Sequence, residues 1–157
     1  MPSKLTGDKE LRRTLASIGR GMGGSNLDKA CVKALEPLKD RTVQNARRLR
    51  QPGRTPKGGH LDQGVVVRRM SAPTIHRRIY WVAFKGRARR IAHLVEFGTA
   101  PHYQPRRGRM HPGARPRRFF TRAFESTKRD VVEEFRLFMQ ARLRSLMSQY
   151  GRRPPTK

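Results

Sequence analysis

Residues 79–99 read Ile-Tyr-Trp-Val-Ala-Phe-Lys-Gly-Arg-Ala-Arg-Arg-Ile-Ala-His-Leu-Val-Glu-Phe-Gly-Thr. The aromatic and β-branched residues 79–84 are typical of a strand, and a Lys-Gly-Arg turn follows them. Residues 91–97 predict a third strand, or the edge of a strand that leads into a helix. Residues 65–70 form another short β-branched segment. Together these segments predict a small antiparallel sheet of three to four strands.

Two long helices are expected on either side of these strands. In residues 26–50, apolar side chains recur at the helical spacing of three and four residues. Pro37 lacks a backbone donor, so we expect a kink near residues 34–38. Residues 119–150 carry a second apolar stripe, which Gly151 ends. The order of helix, strands, long loop and helix predicts an α+β fold, with the small sheet packed against the two long helices.

These elements predict one folded unit with peripheral ends. Residues 1–24 form an N-terminal peripheral segment, in which a short helix near residues 7–18 ends at the glycine-rich residues 19–24. Residues 25–150 form a single α+β domain, which is an ordinary domain size. Residues 151–157 are expected to be a flexible tail.

The composition is strongly basic. Lys and Arg number 37 against 11 Asp and Glu, which gives a formal net charge of +26. Such a chain repels itself unless an anionic partner or a larger assembly offsets the charge, so DNA, RNA and acidic protein surfaces are the candidate partners. With Cys31 as its one cysteine, the chain is not a disulfide-stapled scaffold. The sequence predicts neither a membrane span nor a secretory leader, so we expect the cytoplasm, or an assembly built there.

A long cationic loop is expected at residues 100–118. Its four prolines and two glycines predict no regular structure. It also contains six arginines and no acid, and the guanidinium fork suits phosphate and carboxylate equally well. Three roles stay open: contact with a DNA backbone, docking on an acidic protein, or no specific role. The arginines of the loop are Arg106, Arg107, Arg109, Arg115, Arg117 and Arg118.

The chain offers little for catalysis or metal binding. His93 and Glu96 are three residues apart, and on a strand they would point to opposite faces. Between Asp40 and Glu125, only Asp62 and Glu96 carry a carboxylate. A two-metal nuclease needs several convergent carboxylates. We therefore predict no enzyme activity, no catalytic residue, no metal site and no cofactor.

The segment Ala92-His93-Leu94-Val95-Glu96-Phe97-Gly98-Thr99 resembles the signature of small siphophage neck or tail-completion proteins, a family often described as phage tail components. Two further segments agree with this resemblance. Gly59-His60-Leu61 precedes the strand at 65–70, and Phe119-Phe120-Thr121-Arg122-Ala123-Phe124 begins the last helix. Together with the first long helix, the resemblance covers about residues 27–146.

The resemblance implies a structural virion protein of the head–tail junction of a siphophage. It would form a ring around the DNA channel, expected to be a hexamer, and join the tail to the head. The implied partners are further copies of this chain, neighbouring head-completion (stopper) proteins, and tail-tube or terminator proteins. From the charge and the arginine loop we also expect non-specific contact with genomic DNA, and from the lack of a long apolar run we expect no membrane partner. The implied location is the virion, at the head–tail interface, with the host cytoplasm as the place of assembly.

Two other functions stay open. A ring of the same kind could instead act as the tail terminator, which caps the tail tube. From composition alone, the chain could be a basic nucleic-acid-binding protein, whose affinity for DNA would fall steeply with salt.

Within the motif, His93, Glu96, Phe97, Gly98 and Thr99 are the candidate family or subunit-interface residues. Gly98 is free to take a positive φ, and Phe97 is expected to enter the core beneath the turn. Glu96 is a lone anion in a cationic region. We therefore expect Glu96 to pair with an arginine, either within the subunit or across a subunit interface.

Overall fold

The computed structural model describes residues 8–51, 53, 59–70 and 77–151. The Ser-Ala-Pro-Thr sequence of residues 71–74, which predicts a turn, lies outside these residues. Residues 52 and 54–58 of the Pro- and Gly-rich stretch 51–63 and the predicted tail beyond Gly151 also lie outside them. The helices are α1 (Asp8–Met22), α2 (Ser25–Ala34), α3 (Glu36–Arg47), α4 (Gly86–Phe97) and α5 (Phe119–Gly151). The strands are β1 (Val65–Arg69), β2 (Tyr80–Phe84), β3 (His102–Gln104) and β4 (Arg109–His111). Short 3-10 turns cover Leu61–Gly64 and Pro105–Arg107.

The fold is α+β, but the strands form two small sheets. β1 pairs with β2 in antiparallel register, with Val65 opposite Phe84. β3 pairs with β4, with His102 opposite His111. Each sheet has two strands in the described part of the chain. The prediction of one sheet with three to four strands is therefore wrong.

The main error concerns residues 91–97, which belong to a helix and not to a third strand. α4 buries Ala88, Ala92 and Glu96, which are four residues apart, so its inner face follows the helical period. The helix lies close to the turn before β1, where a Cβ on Gly64 would lie 2.3 Å from the Cβ of Ala88. Because the buried positions are small or charged, they do not stand out as an apolar stripe in the sequence.

The first predicted long helix is divided in two. α2 ends at Ala34, Leu35 lies between the helices, and α3 begins at Glu36. Pro37 lies in the first turn of α3, where its missing N–H removes no helical hydrogen bond. The kink was predicted at the right place, residues 34–38, but one kinked helix was predicted and the chain forms two separate helices there.

The N-terminal helix is longer than its predicted end near residue 18. α1 continues through Gly19 and Gly21 to Met22. Gly21 faces α5, and a Cβ there would lie 2.8 Å from a methyl carbon of Leu146. Gly21 therefore allows the two helices to approach closely, and the chain turns only at Gly24, where φ is +56°.

α5 is the longest helix and contacts α1, α2 and α3. At its start, Phe119 is fully buried and contacts Phe84 of β2 edge to face, with 5.8 Å between ring centroids. Ala46 and Ala92 complete this cluster. The core is thin, because most of the buried apolar residues are alanines. α4 and α5 pack around this core, and their packing positions the motif residues 92–99.

Candidate interaction site

Glu96 lies at the end of α4 and caps the first turn of α5. Its carboxylate accepts hydrogen bonds from the backbone N–H of Phe120 at 2.8 Å and of Thr121 at 2.9 Å, and from the Thr121 hydroxyl. These N–H groups have no partner within their own helix, and they are the ones that a capping side chain normally satisfies. Glu96 is 6% exposed, so the cap is buried.

Within the subunit, this cap takes the place of the arginine pair that the sequence predicted for Glu96, and a pair across a subunit interface stays a prediction. Among the described residues, Glu96 forms no ion pair with an arginine. The residues just before α5 are Arg117 and Arg118, neither of which is a good N-cap residue. A remote carboxylate therefore takes this role, and the positive end of the α5 dipole favours it.

The backbone strengthens the same joint. The N–H groups of Arg117 and Arg118 donate to the carbonyls of Val95 and Glu96, at 3.0 and 3.1 Å. These carbonyls belong to the last turn of α4, where helix partners are missing. Arg118 takes a left-handed φ of +47°, which is uncommon for a residue with a side chain. At this joint the donors all lie in residues 117–121, and the acceptors are the backbone carbonyls of Val95 and Glu96 and the Glu96 carboxylate.

Gly98 and Thr99 complete the joint beside this cap. Gly98 has φ +75°, which confirms the predicted positive φ, and a Cβ there would lie 2.4 Å from the carbonyl oxygen of Ala114. Thr99 and Ala114 form a bridge with two backbone hydrogen bonds of 2.9 and 3.0 Å. Phe97, by contrast, is 75% exposed, so its predicted place in the core is wrong. His93 is also exposed, on the outer side of α4.

Residues 102–111 of the predicted cationic loop form a hairpin, so the prediction of no regular structure is wrong. Its 3-10 turn carries Arg106 and Arg107, and Gly108 takes the left-handed conformation before Arg109 begins β4. All three arginine side chains are exposed. At the open end of the hairpin, the rings of His102 and His111 stack with centroids 5.1 Å apart. We call residues 102–111 the arginine hairpin.

The other three arginines of the loop lie outside the hairpin. Arg115, Arg117 and Arg118 are exposed on the segment that leads from the hairpin to α5. Arg115 and Arg117 line a groove against α3 and α4. The six predicted arginines therefore form two separate sets, and one of them lies next to the joint that Glu96 makes.

Two further carboxylates hold elements together, and sequence reasoning missed both roles. Asp62 is buried and accepts two hydrogen bonds from Arg50, at 3.0 and 2.5 Å, and one from Arg47 at 3.4 Å. This ties the turn before β1 to the end of α3. Burial opposes ionisation of Asp62, but the hydrogen bond and charge of Arg50 outweigh it, so the pKa of Asp62 lies below its usual value.

Asp28 on α2 makes the equivalent link to the β1–β2 sheet. It accepts hydrogen bonds from Arg78 at 2.8 Å and from the Tyr80 hydroxyl at 2.9 Å, with Arg69 at 3.4 Å. Burial opposes its ionisation, but Tyr80 and the two arginines outweigh it and lower the pKa of Asp28. Burial raises the pKa of the Cys31 thiol, and the negative charge of Asp28 raises it further. The thiolate is therefore disfavoured at this position.

The described residues contain no group of three or more His, Cys, Asp or Glu side chains placed to hold a metal ion. Within the same part of the chain, no helix has the length and apolar character needed to cross a membrane. What the site offers chemically is a rigid joint that presents exposed guanidinium groups.

No protein-family model matches the chain, and comparisons with curated proteins and with solved structures find no significant match.

Proposed function

We propose that this protein is a structural component of the head–tail junction of a siphophage. It assembles as a ring around the DNA channel, joins the tail to the head and acts there within the virion after assembly in the host cytoplasm. The proposal begins from the resemblance of residues 92–99 to the neck and tail-completion family. The joint built by Glu96, Gly98 and Thr99 gives that motif a structural role and supports a non-enzymatic function.

The observation that carries the proposal is the imbalance between buried and exposed apolar side chains. Apart from alanines, the buried apolar residues of the described chain are Leu38, Val65, Phe119 and Leu146. Fourteen large apolar residues are exposed, among them Phe97 at 75%. A subunit with this balance gains stability by covering apolar surface with neighbours, as an assembly component does.

The charge also fits a ring around DNA. Copies that each carry +26 repel one another, and a DNA duplex through the ring offsets that repulsion. The arginine hairpin presents Arg106, Arg107 and Arg109 to solvent, where phosphate groups can reach them. Non-specific DNA contact by the hairpin is therefore part of the proposal.

The same features suit a tail terminator ring, which caps the tail tube and does not join it to the head. A second function of another class, a basic nucleic-acid-binding protein, is favoured by the exposed arginines of the hairpin. The two classes differ in what the isolated protein does. A ring component self-associates through apolar surface, whereas a nucleic-acid-binding protein needs only DNA.

Sedimentation of the purified full-length chain tests the proposal. We expect a defined oligomer whose formation persists in high salt, because apolar contacts are not screened. Phe97→Ser removes one of the most exposed apolar side chains and is expected to shift the equilibrium toward monomer. A chain that stays monomeric, but binds DNA with a steep salt dependence, would favour the nucleic-acid-binding function.

A further inference from the structure

A groove runs between the end of α3, the turn before β1, α4 and the segment that leads into α5. It encloses about 590 Å³, which lies within the range of ligand-binding clefts. Its floor is apolar and includes Leu94, a residue that is 40% exposed. The floor is formed by Ala46, Leu49, Leu61, Ile91, Leu94 and Val95.

The rim of the groove is cationic. No Asp or Glu side chain of the described residues lines it. Arg50 is held by Asp62, whereas Arg48, Arg115 and Arg117 form no ion pair with another described residue. The arginines of the rim are Arg48, Arg50, Arg87, Arg115 and Arg117.

A second depression continues this surface. It encloses about 280 Å³ and shares Arg48, Leu49 and Arg117 with the first. It adds Arg41 and Arg122, again with no lining acid among the described residues. We call the two depressions together the arginine groove.

We propose that the arginine groove binds an extended acidic segment of a partner protein, in which apolar side chains alternate with carboxylates. Guanidinium groups pair with carboxylates through two parallel hydrogen bonds, which fixes the position of the segment. The apolar side chains of the segment cover Leu94 and its neighbours on the floor. The inference concerns the chemistry of the partner, and it holds whether or not the protein belongs to a phage neck.

This chain has no suitable occupant of its own. The parts outside the described residues contain no Asp or Glu, and the stretch nearest the groove in sequence adds Arg54 and Lys57. A second copy offers few carboxylates to this cationic rim, because each chain has 11 Asp and Glu against 37 Lys and Arg. Charge complementarity therefore points to a different, acidic protein.

A nucleic acid fits the groove less well. Its phosphates would satisfy the arginines but leave the apolar floor uncovered. Single strands usually stack their bases on aromatic side chains. No Phe, Tyr or Trp of the described chain lines the main depression, and Phe119, which lines the second, is fully buried. The combination of an apolar floor with a cationic rim matches an acidic and apolar peptide.

Fluorescence anisotropy with the full-length protein tests this inference. The probe is a short fluorescein-labelled peptide in which Glu alternates with Leu, and the matched peptide has Ser in place of each Leu. We expect the Leu peptide to bind about tenfold more tightly. Leu94→Ser and Arg117→Ser should each weaken its binding by about fivefold or more, as central contacts do. Arg106→Ser removes the same charge from the arginine hairpin and should change the affinity by less than about twofold, because that side chain lies outside the groove.

Several results would overturn the inference. Equal binding of the two peptides would mean that only the net charge attracts them. An equal loss from Arg106→Ser and Arg117→Ser would place the binding outside the groove. Tighter binding of a single-stranded oligonucleotide, sensitive to Leu94→Ser, would assign the groove to nucleic acid. Self-association that Leu94→Ser abolishes would assign it to a second copy. Arg115→Ser provides an independent test if Leu94→Ser unfolds the protein.

Discussion

The carboxylate of Glu96 accepts a hydrogen bond from the backbone N–H of Phe120 at 2.8 Å, and this bond joins the end of α4 to the first turn of α5. Both helices contribute to the small core, where Phe119 and Ala92 belong to the same buried cluster. The motif Val-Glu-Phe-Gly-Thr therefore fixes the angle at which the longest helix leaves the core. The arginine hairpin and the arginine groove both depend on this joint for their position.

Removal of the Glu96 carboxylate should destabilise the fold. We expect Glu96→Ala to lower the free energy of unfolding by about 1–2 kcal/mol, because the first N–H groups of α5 lose their buried acceptor. Glu96→Gln retains one acceptor oxygen and should cost less. Urea denaturation measures both values.

The control is Glu125→Ala, which removes an exposed carboxylate from α5, the helix that Glu96 caps. Surface changes of this kind alter stability by about 0.5 kcal/mol or less. A Glu96→Ala variant that is no less stable than the control would contradict the capping role.

Gly98 should not tolerate a side chain. Its φ of +75° is unfavourable for alanine, and the added Cβ would lie 2.4 Å from the Ala114 carbonyl oxygen. We expect Gly98→Ala to cost more than about 1 kcal/mol of unfolding free energy. Gly19→Ala, in α1 with no atom within 4 Å of the new Cβ, should instead stabilise the chain by about 0.4–1 kcal/mol. Thermal unfolding compares the two variants, and a Gly98→Ala protein as stable as the parent would show that the close approach is absent.

The stability of the protein should fall in acid because of Asp62 and Asp28. Their pKa values are lowered in the folded state, while the unfolded carboxyls have pKa values near about 3.9. Below that pH the unfolded chain binds more protons than the folded chain, so the free energy of unfolding decreases as the pH falls. At neutral pH this contribution is fully present.

Urea denaturation across a series of pH values measures this loss. Asp62→Asn should flatten the pH dependence below about pH 4, besides lowering stability at neutral pH. Asp40→Asn, on the exposed side of α3, serves as the control. An unchanged slope in Asp62→Asn would mean that the Arg50 pair does not hold this carboxylate ionised in acid.

The hairpin arginines should determine non-specific DNA binding. We expect the slope of log affinity against log salt to decrease by about 0.9 for each phosphate contact removed from duplex DNA. Arg106→Ser combined with Arg107→Ser should therefore flatten the slope. Arg129→Ser combined with Arg136→Ser removes the same charge from α5 and should leave the slope unchanged. Electrophoretic titration over a range of salt concentrations provides the values, and equal slopes for the two double variants would remove the hairpin from the DNA contact.

Local patterns predicted the strands β1 and β2, a change of helix direction near Pro37 and the long helix α5, because each depends on residues that are neighbours in the sequence. The helix α4 was missed because its buried face consists of Ala88, Ala92 and Glu96, which carry no apolar periodicity. The hairpin was missed because its two strands are only three residues long. The prolines and glycines of residues 100–118 predicted no regular structure, and three-residue strands give too short a pattern to indicate the pairing of β3 with β4.

The site was predicted only in part. The sequence singled out Glu96, Gly98 and Thr99 as family-motif or subunit-interface residues, and all three lie at the joint between α4 and α5. It also predicted an arginine partner for Glu96, whereas within the described chain Glu96 caps α5. The cap joins Glu96 to Thr121, 25 residues away, and no local spacing encodes that contact. The exposure of Phe97 was also missed. A strand was expected at residues 91–97, and a side chain points in a different direction from a strand than from a helix. The arginine groove needs four separate segments, so only the folded chain reveals it.

Electron microscopy of a lysate tests the head–tail role most directly. The phage carries a stop codon early in this gene, and the matched control restores the chain from a plasmid. The account predicts filled heads beside separate tails of normal length, with joined particles recovered in the control. Tails of uncontrolled length would assign the chain to tail termination, and normal infectious particles without this protein would contradict the junction role.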